Sequence, residues 1–383
     1  MKRLLGLSLV LLLLGSVQPA EAEEIRVMTQ NQYLGADLTP VLLADPETFN
    51  DAAVEALRQI AANKPTERIM AQAKEILKGS PALVGLQEVY WFYCFDDPSP
   101  VSGQGCDDPS IRGAFVNHLQ ETLDALNGEY VAQALVTNLN LPGIPLTING
   151  SEVLVGVLDR DVILTRKDIQ ATPVDFTAVC GNRPDDGCNY KFALEVPSPL
   201  PPPYPPTIRV ERGFVGIDVT VDGKSYRFIN THLEQKYTGS PGLLLFQAFQ
   251  AMELIQILHN TTPPGVSLLV VGDTNSSPTD LPIPFDGEMV PTPYQQFVYG
   301  AGYADAWELR PGSVLGMTCC QLADLSNHKS ALYERVDMLF SLEPPVGVKQ
   351  ARVVGATVSD KTRPPGRGLW PSDHGAVIAE LEF

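Results

Sequence analysis

Short apolar runs recur from one end of this chain to the other, and each ends on or encloses a residue able to carry chemistry. The run opening at Ile25 reaches Asn31, the run 82–86 leads into Gln87-Glu88, 226–231 ends at His232, and 267–271 delivers Gly272-Asp273-Thr274-Asn275. Farther on, 336–340 encloses Asp337, and Asp373-His374 stands just ahead of the run 376–383. Apolar runs this short, bounded by turn residues, read as buried strands. Pro65-Thr66-Glu67-Arg68 opens a helix that places Ile69, Met70, Ala73, Ile76 and Leu77 on one face, and Gly79-Ser80-Pro81 stops it just before one of those strands. A helix, then a buried strand, then a carboxylate at the strand tip is an α/β pattern, and in sheets ligand-binding groups gather at such tips.

The same reading predicts helices over 111–126 and 243–258 and further strands over 153–158, 162–165, 214–221, 351–358 and 376–383. Asp222-Gly223 makes a hairpin of 214–221 and 226–231. Seven prolines in the ten residues 197–206 favour an extended segment that cannot be a central strand, so 180–206 reads as a surface insertion in one catalytic domain, 23–383.

Lys2 and Arg3, the apolar run 4–14 and Ala20-Glu21-Ala22 have the form of a cleavable export signal, residues 1–22, which implies a secreted or periplasmic protein. No other long apolar stretch is present, so stable membrane insertion is not expected; a monomer is. Cysteine usage agrees with an oxidising compartment: Cys94 with Cys106, and Cys180 with Cys188, sit in loops rich in Asp, Pro and Gly and are expected to bridge. The adjacent Cys319 and Cys320 are left open between thiol and disulfide. A formal net charge of −18 argues against a protein that holds polyanions by bulk electrostatics.

Taken singly, each polar strand end has an ordinary role: Asx turns for Asp273 and Asn275, a solvated edge for Glu88, a core histidine for His232. Taken jointly, they are oxygen donors with two histidines and no Cys or His cluster. That inventory suits a hard divalent ion, Mg²⁺ or in its place Mn²⁺ or Ca²⁺, bound by one or two carboxylates, water and a substrate phosphate.

Thr29-Gln30-Asn31, Leu86-Gln87-Glu88-Val89, Asn230-Thr231-His232-Leu233, Val271-Gly272-Asp273-Thr274-Asn275-Ser276, Arg335-Val336-Asp337-Met338-Leu339-Phe340 and Ser372-Asp373-His374 together resemble, in order, the motifs of the endonuclease/exonuclease/phosphatase superfamily. The resemblance implies a four-layer α/β sandwich, two mixed β-sheets packed face to face with helices outside. It implies Glu88 as the principal metal ligand, with Asn31 close to it and Asp373 as a further ligand. Asp273 would orient or deprotonate the attacking water, Asn275 and Arg212 would contact phosphate, Asp337 would pair with His374 and stabilise its cation, and His232 would act from the opposite side. Two positions depart from the pattern: Gln30 replaces a tryptophan, and Asp161 replaces Asn or Gly and reads equally as a cleft residue or a surface one. The sequence shows no carboxylate partner for His232.

The implied activity is Mg²⁺-assisted water attack on a phosphodiester. The acidic charge favours a phospholipid headgroup or small phosphate ester; an extracellular endonuclease on DNA or RNA and a catalytically silent binding protein are the alternatives. The aromatic stretch 90–93 reads as core packing ahead of lipid contact, and Asp37 as a turn residue or part of the cleft.

Overall fold

Two seven-stranded mixed sheets carry the chain. The computed structural model describes residues 23–96, 103–200, 202, 204–236, 241–362 and 368–383; the expected export segment 1–22 lies outside them, as do Pro201 and Pro203. The first sheet runs Gly347–Val354, Ala376–Glu382, Glu24–Asn31, Leu83–Gln87, Ser151–Arg166, Trp91–Asp96, and Tyr130–Ile148 also pairs along Ser151–Arg166. The second runs Ala304–Asp305, Asp337–Ser341, Ser267–Asp273, Lys224–His232, Gly213–Val221, Ala171–Pro173, with Cys188–Asn189 also on Gly213–Val221.

Strand alternation divides the side chains into layers. Ile25, Val27, Leu83 and Ile163 of the first sheet meet Val215, Phe228, Leu269 and Val271 of the second in one buried cluster. The opposite faces are covered by helices. Met28, Val84 and Leu164 pack with Ala73 and Ile76 of helix Pro65–Gly79. Phe214, Ile229, Val270 and Phe340 pack with Leu254 and Leu258 of helix Pro241–Thr261. The result is the expected four-layer sandwich. A polar bridge crosses its middle: Gln87 Nε2 donates to Asn230 Oδ1 at 2.6 Å, and Asn230 Nδ2 donates to the carbonyls of Leu86 and Val162 at 2.8 and 3.1 Å. Gly85 makes room for it, because a Cβ there would lie 2.6 Å from both Asn230 Oδ1 and Val271 Cγ2.

Several expectations are corrected in detail. Residues 111–126 are not one helix: a short turn at Arg112–Ala114 precedes helix His118–Ala125, which starts at Asn117, whose side chain accepts from the Gln120 amide. In helix Pro65–Gly79, Met70 and Leu77 are exposed. The predicted strands 153–158 and 162–165 are one strand, Ser151–Arg166, paired with the unanticipated Tyr130–Ile148 through a turn at Asn149-Gly150. Helix Phe49–Ala62 was also not anticipated, and the strand expected over 351–358 is Gly347–Val354. The hairpin stands, with Val221 paired to Lys224 across the left-handed Asp222 and Gly223. Cys94–Cys106 and Cys180–Cys188 are bridged, and Cys319 and Cys320 are joined. Among the described residues no helix is long and apolar enough to cross a membrane.

Candidate active site

Register brings the strand tips together. Gly213, His232, Asp273 and Asp337 are successive partners across four neighbouring strands of the second sheet. Asn31 pairs with Gln87 in the first sheet, so Glu88 emerges beside it. Glu88 has φ +55° and Asn275 φ +48°, a left-handed conformation that non-glycine residues adopt rarely. Such strain persists where the surroundings hold it, and both residues turn at strand ends that face the cleft between the sheets.

Asp273 Oδ2 is the hub. Asn31 Nδ2 donates to it at 3.1 Å, while His232 Nε2 lies at 3.6 Å and His374 Nε2 at 3.7 Å. Its other oxygen accepts from the Asn275 amide at 2.9 Å. Burial raises the Asp273 carboxyl, but His374, His232 and these donors outweigh that and hold it below the ordinary carboxylate range. Asp273 is therefore an ionised, oriented acceptor with nearly no solvent exposure of its own.

Asn31 Nδ2 also donates to Glu88 Oε1 at 3.1 Å, and the Leu34 amide donates to Glu88 Oε2 at 2.8 Å. Asn31 is itself held by the Tyr33 amide on Oδ1 and by Ser372 Oγ on its carbonyl, at 2.9 and 2.8 Å. Ser372 Oγ accepts from the His374 amide at 3.1 Å, so one hydroxyl ties the loop bearing Asp373 and His374 to the strand bearing Asn31. Burial, reinforced by Glu88 and Asp273 against the pull of His374, raises Asp373 to about 7. Glu88 and Asp373 are partly exposed, which puts this uncompensated acidity at the open end of the cleft.

His374 Nδ1 bonds Asp337 Oδ2 at 2.8 Å. Burial opposes the imidazolium, yet Asp337, Asp273 and Asp373 together hold His374 well above the ordinary histidine range. Thr318 Oγ1 accepts from the Asp337 amide at 3.2 Å and fixes the start of that strand. His232 differs. Arg212 Nη1 donates to its Nδ1 at 3.1 Å, so the neutral ring carries its proton on Nε2, the nitrogen that faces Asp273. Burial, then the charge of Arg212, hold His232 down to about 3. The structure thus gives His232 the Asp273 carboxylate beside Nε2 and the Arg212 cation on Nδ1, and the ring is a neutral donor. Glu234 Oε1, 3.6 Å from Arg212 Nη2, completes the support.

Every expected residue lies at this one cleft, with Arg212 set behind the His232 ring. Asn275 Nδ2 donates to the Leu233 carbonyl at 3.0 Å and stands 3.3 Å from His232 Nε2. Asp161 is fully buried, bonded by Asn138 Nδ2 at 2.9 Å, which rules out the surface reading. Asp37 is exposed and accepts from the Thr39 amide, an ordinary turn. Tyr90 and Phe92 are packed, while Trp91 faces out. Asp159, next along the same strand face as Asp161, was missed; burial, then Glu88, raise it to about 7 against Arg212. Its position two residues from Asp161 in a buried strand was the available signal. Thr318 and Glu234 were missed as well, and only Glu234, two residues past His232, left a trace in the sequence.

The donor set tests the expected metal. Glu88 and Asp373 offer hard carboxylate oxygens at a cleft with excess acidity, which fits Mg²⁺; Asn31, expected as a further ligand, instead turns Nδ2 toward Glu88 and Asp273 and gives Oδ1 to the Tyr33 amide, so it orients the carboxylates. Asp273, Asp337 and His374 also lie close enough together to hold an ion. There, however, His374 Nδ1 is already committed to Asp337, and a cationic imidazole cannot ligate.

No family model and no curated protein matches the chain. Solved structures do. An endonuclease/exonuclease/phosphatase family protein from Bacteroides thetaiotaomicron matches with TM-score 0.51 and 17% identity over 95% of this chain and 99% of its own. A mannosyl-6-phosphatase from the same organism matches with TM-score 0.51 and 16% identity over 94% of this chain and 100% of its own. The chain has the fold of the endonuclease/exonuclease/phosphatase superfamily.

Proposed function

We propose that the protein is an exported metal-dependent phosphodiesterase acting on a phospholipid headgroup or small phosphate ester. The observation that carries this reading is the convergence on Asp273 Oδ2 of Asn31, His232 and His374, with Glu88 on the far side of Asn31. A phosphodiester resists attack because nucleophile and ester are both negative, so the site has to supply positive charge and place a water. Glu88 and Asp373 would hold Mg²⁺, with Asn31 orienting Glu88, and the ion when bound would supply a Lewis acid for a nonbridging phosphate oxygen.

The remaining residues act on protons and position. Asp273, kept ionised, accepts a hydrogen bond from the attacking water and aligns it. His374, kept cationic by Asp337, offers Nε2–H toward the phosphate. His232 offers a neutral Nε2–H from the other side, its tautomer fixed by Arg212, and Asn275 borders the same pocket. Arg212 adds long-range positive charge from behind the ring and is a positioning residue. Export is supported by the form of residues 1–22 and by the two local disulfides.

Net charge of −18 weighs against an extended polyanion as substrate. Purified protein with Mg²⁺ is tested against plasmid DNA, sphingomyelin and bis-p-nitrophenyl phosphate. The reading expects turnover of the lipid and the small ester ahead of DNA; plasmid nicking as the dominant activity, steeply weakened by salt, would replace it with the nuclease reading.

A further inference from the structure

One face of strand Ser151–Arg166 changes character along its length. Val153, Val155 and Val157 point the same way as Asp159, Asp161 and Ile163, because side chains alternate along a strand. Ile163 belongs to the core between the sheets, Asp159 and Asp161 to the cleft beside Arg212, and Val155 and Val157 to the wall of an apolar cavity of about 110 Å³. Helix Phe49–Ala62 supplies Ala53, Ala56 and Leu57 to that cavity, and the paired strands Leu194–Pro197 and Thr207–Val210 close over it. The proline-flanked insertion is therefore a strap across an apolar hole.

The hole lies next to the chemistry by three routes. Tyr90, which stacks on the cavity residue Phe92 at 5.4 Å, follows Glu88 by two residues. Leu34, whose amide holds Glu88, packs in the cluster that surrounds the cavity. Val210 lines it, and Arg212 stands two residues on, about 7 Å along an extended chain. All the lining side chains are apolar, so the cavity offers nothing to a headgroup, a sugar or a base.

We propose that this cavity receives an aliphatic chain of the phosphoester substrate, placing the phosphorus at Glu88 and Asp273, on the far side of the His232 ring from Arg212. The inference rests on the phosphodiesterase reading and narrows it to esters with an alkyl or acyl substituent. On the scale at which a cavity of about 150 Å³ takes benzene, it holds a segment of about four carbons.

The test is a series of p-nitrophenyl methyl, butyl and hexyl phosphates with Mg²⁺. The value of kcat/KM is expected to rise about fourfold per methylene up to butyl and then level, from about 0.8 kcal/mol per buried methylene. Ala56→Leu, which fills the cavity, is expected to flatten the series; Val157→Ile, a smaller filling, serves should Ala56→Leu fail to fold. Equal kcat/KM across the series overturns the inference while leaving the phosphodiesterase reading intact. If no ester is cleaved, that reading fails, and calorimetric titration with methylphosphonate and butylphosphonate decides the cavity: tighter binding of the butyl compound sustains it, equal binding removes it. Butanoate binding as tightly as butylphosphonate would assign the cavity to a free acid and overturn the substrate role.

Discussion

At the scale of single residues, the two histidines of the cleft are held in different charge states. His374 is surrounded by Asp337, Asp273 and Asp373 and is held cationic; His232 is backed by Arg212 and is held neutral. Asp273→Asn keeps the shape of the hub and removes its charge, so kcat is expected to fall about 10²- to 10⁴-fold with an unchanged circular dichroism spectrum. His118 gives a stability prediction. It is fully buried, and burial, then the charge of Arg68, hold it down to about 3, against 6.5 when exposed. The unfolded chain therefore binds the proton first. Stability from His118 is complete above about pH 6.5 and is lost as pH falls toward 3, by about 2 kcal/mol at pH 5. Urea midpoints at pH 7 and pH 5 should differ by less in His118→Leu than in the parent; an equal difference would place the titration elsewhere.

At the scale of elements, what the sequence shows depends on whether a strand is apolar along its whole length. The runs 82–86 and 267–271 are buried on both faces and were legible, with the polar residue at each tip. Ser151–Arg166 was read as two pieces because Asp159-Arg160-Asp161 interrupts it. Those charges are tolerated in mid-strand because Asp159 and Asp161 face the cleft and Arg160 donates to the Val89 carbonyl and Asn117. Its partner Tyr130–Ile148 was hidden by Pro142, Gly143 and Pro145; a register shift between Leu141 and Ile144 accommodates the first two, and Pro145 pairs with Leu154. Met70 and Leu77 looked like core by helical spacing, but both lie at an exposed edge of the helix. Where the two sheets meet, Gly85→Ala would drive a methyl into Asn230 and Val271, at an expected cost of about 1–3 kcal/mol in thermal unfolding. Reducing Cys94–Cys106 opens a loop of 12 residues and is expected to cost about 3 kcal/mol, read as a lower unfolding temperature in dithiothreitol than in its absence.

At the scale of the whole molecule, two sheets assembled from distant stretches of sequence present their tips at one cleft, and the ordered motifs make that convergence readable in the sequence. The protonation states were not readable, because they depend on Arg212 lying behind one ring and Asp337 behind the other, which spacing along the chain does not encode. The acidic net charge and the strapped apolar cavity are the two features on which the proposed preference for small or amphipathic esters rests. The proposed hydrolysis depends on a dication held at Glu88. The direct measurement is turnover of bis-p-nitrophenyl phosphate by the parent and by Glu88→Gln, first after chelation with EDTA and then with Mg²⁺ restored. The parent is expected to fall silent and recover while Glu88→Gln stays at least about 10²-fold slower at the same Mg²⁺ concentration; turnover that persists in EDTA, or a fully active Glu88→Gln, would rule out a dication held at Glu88.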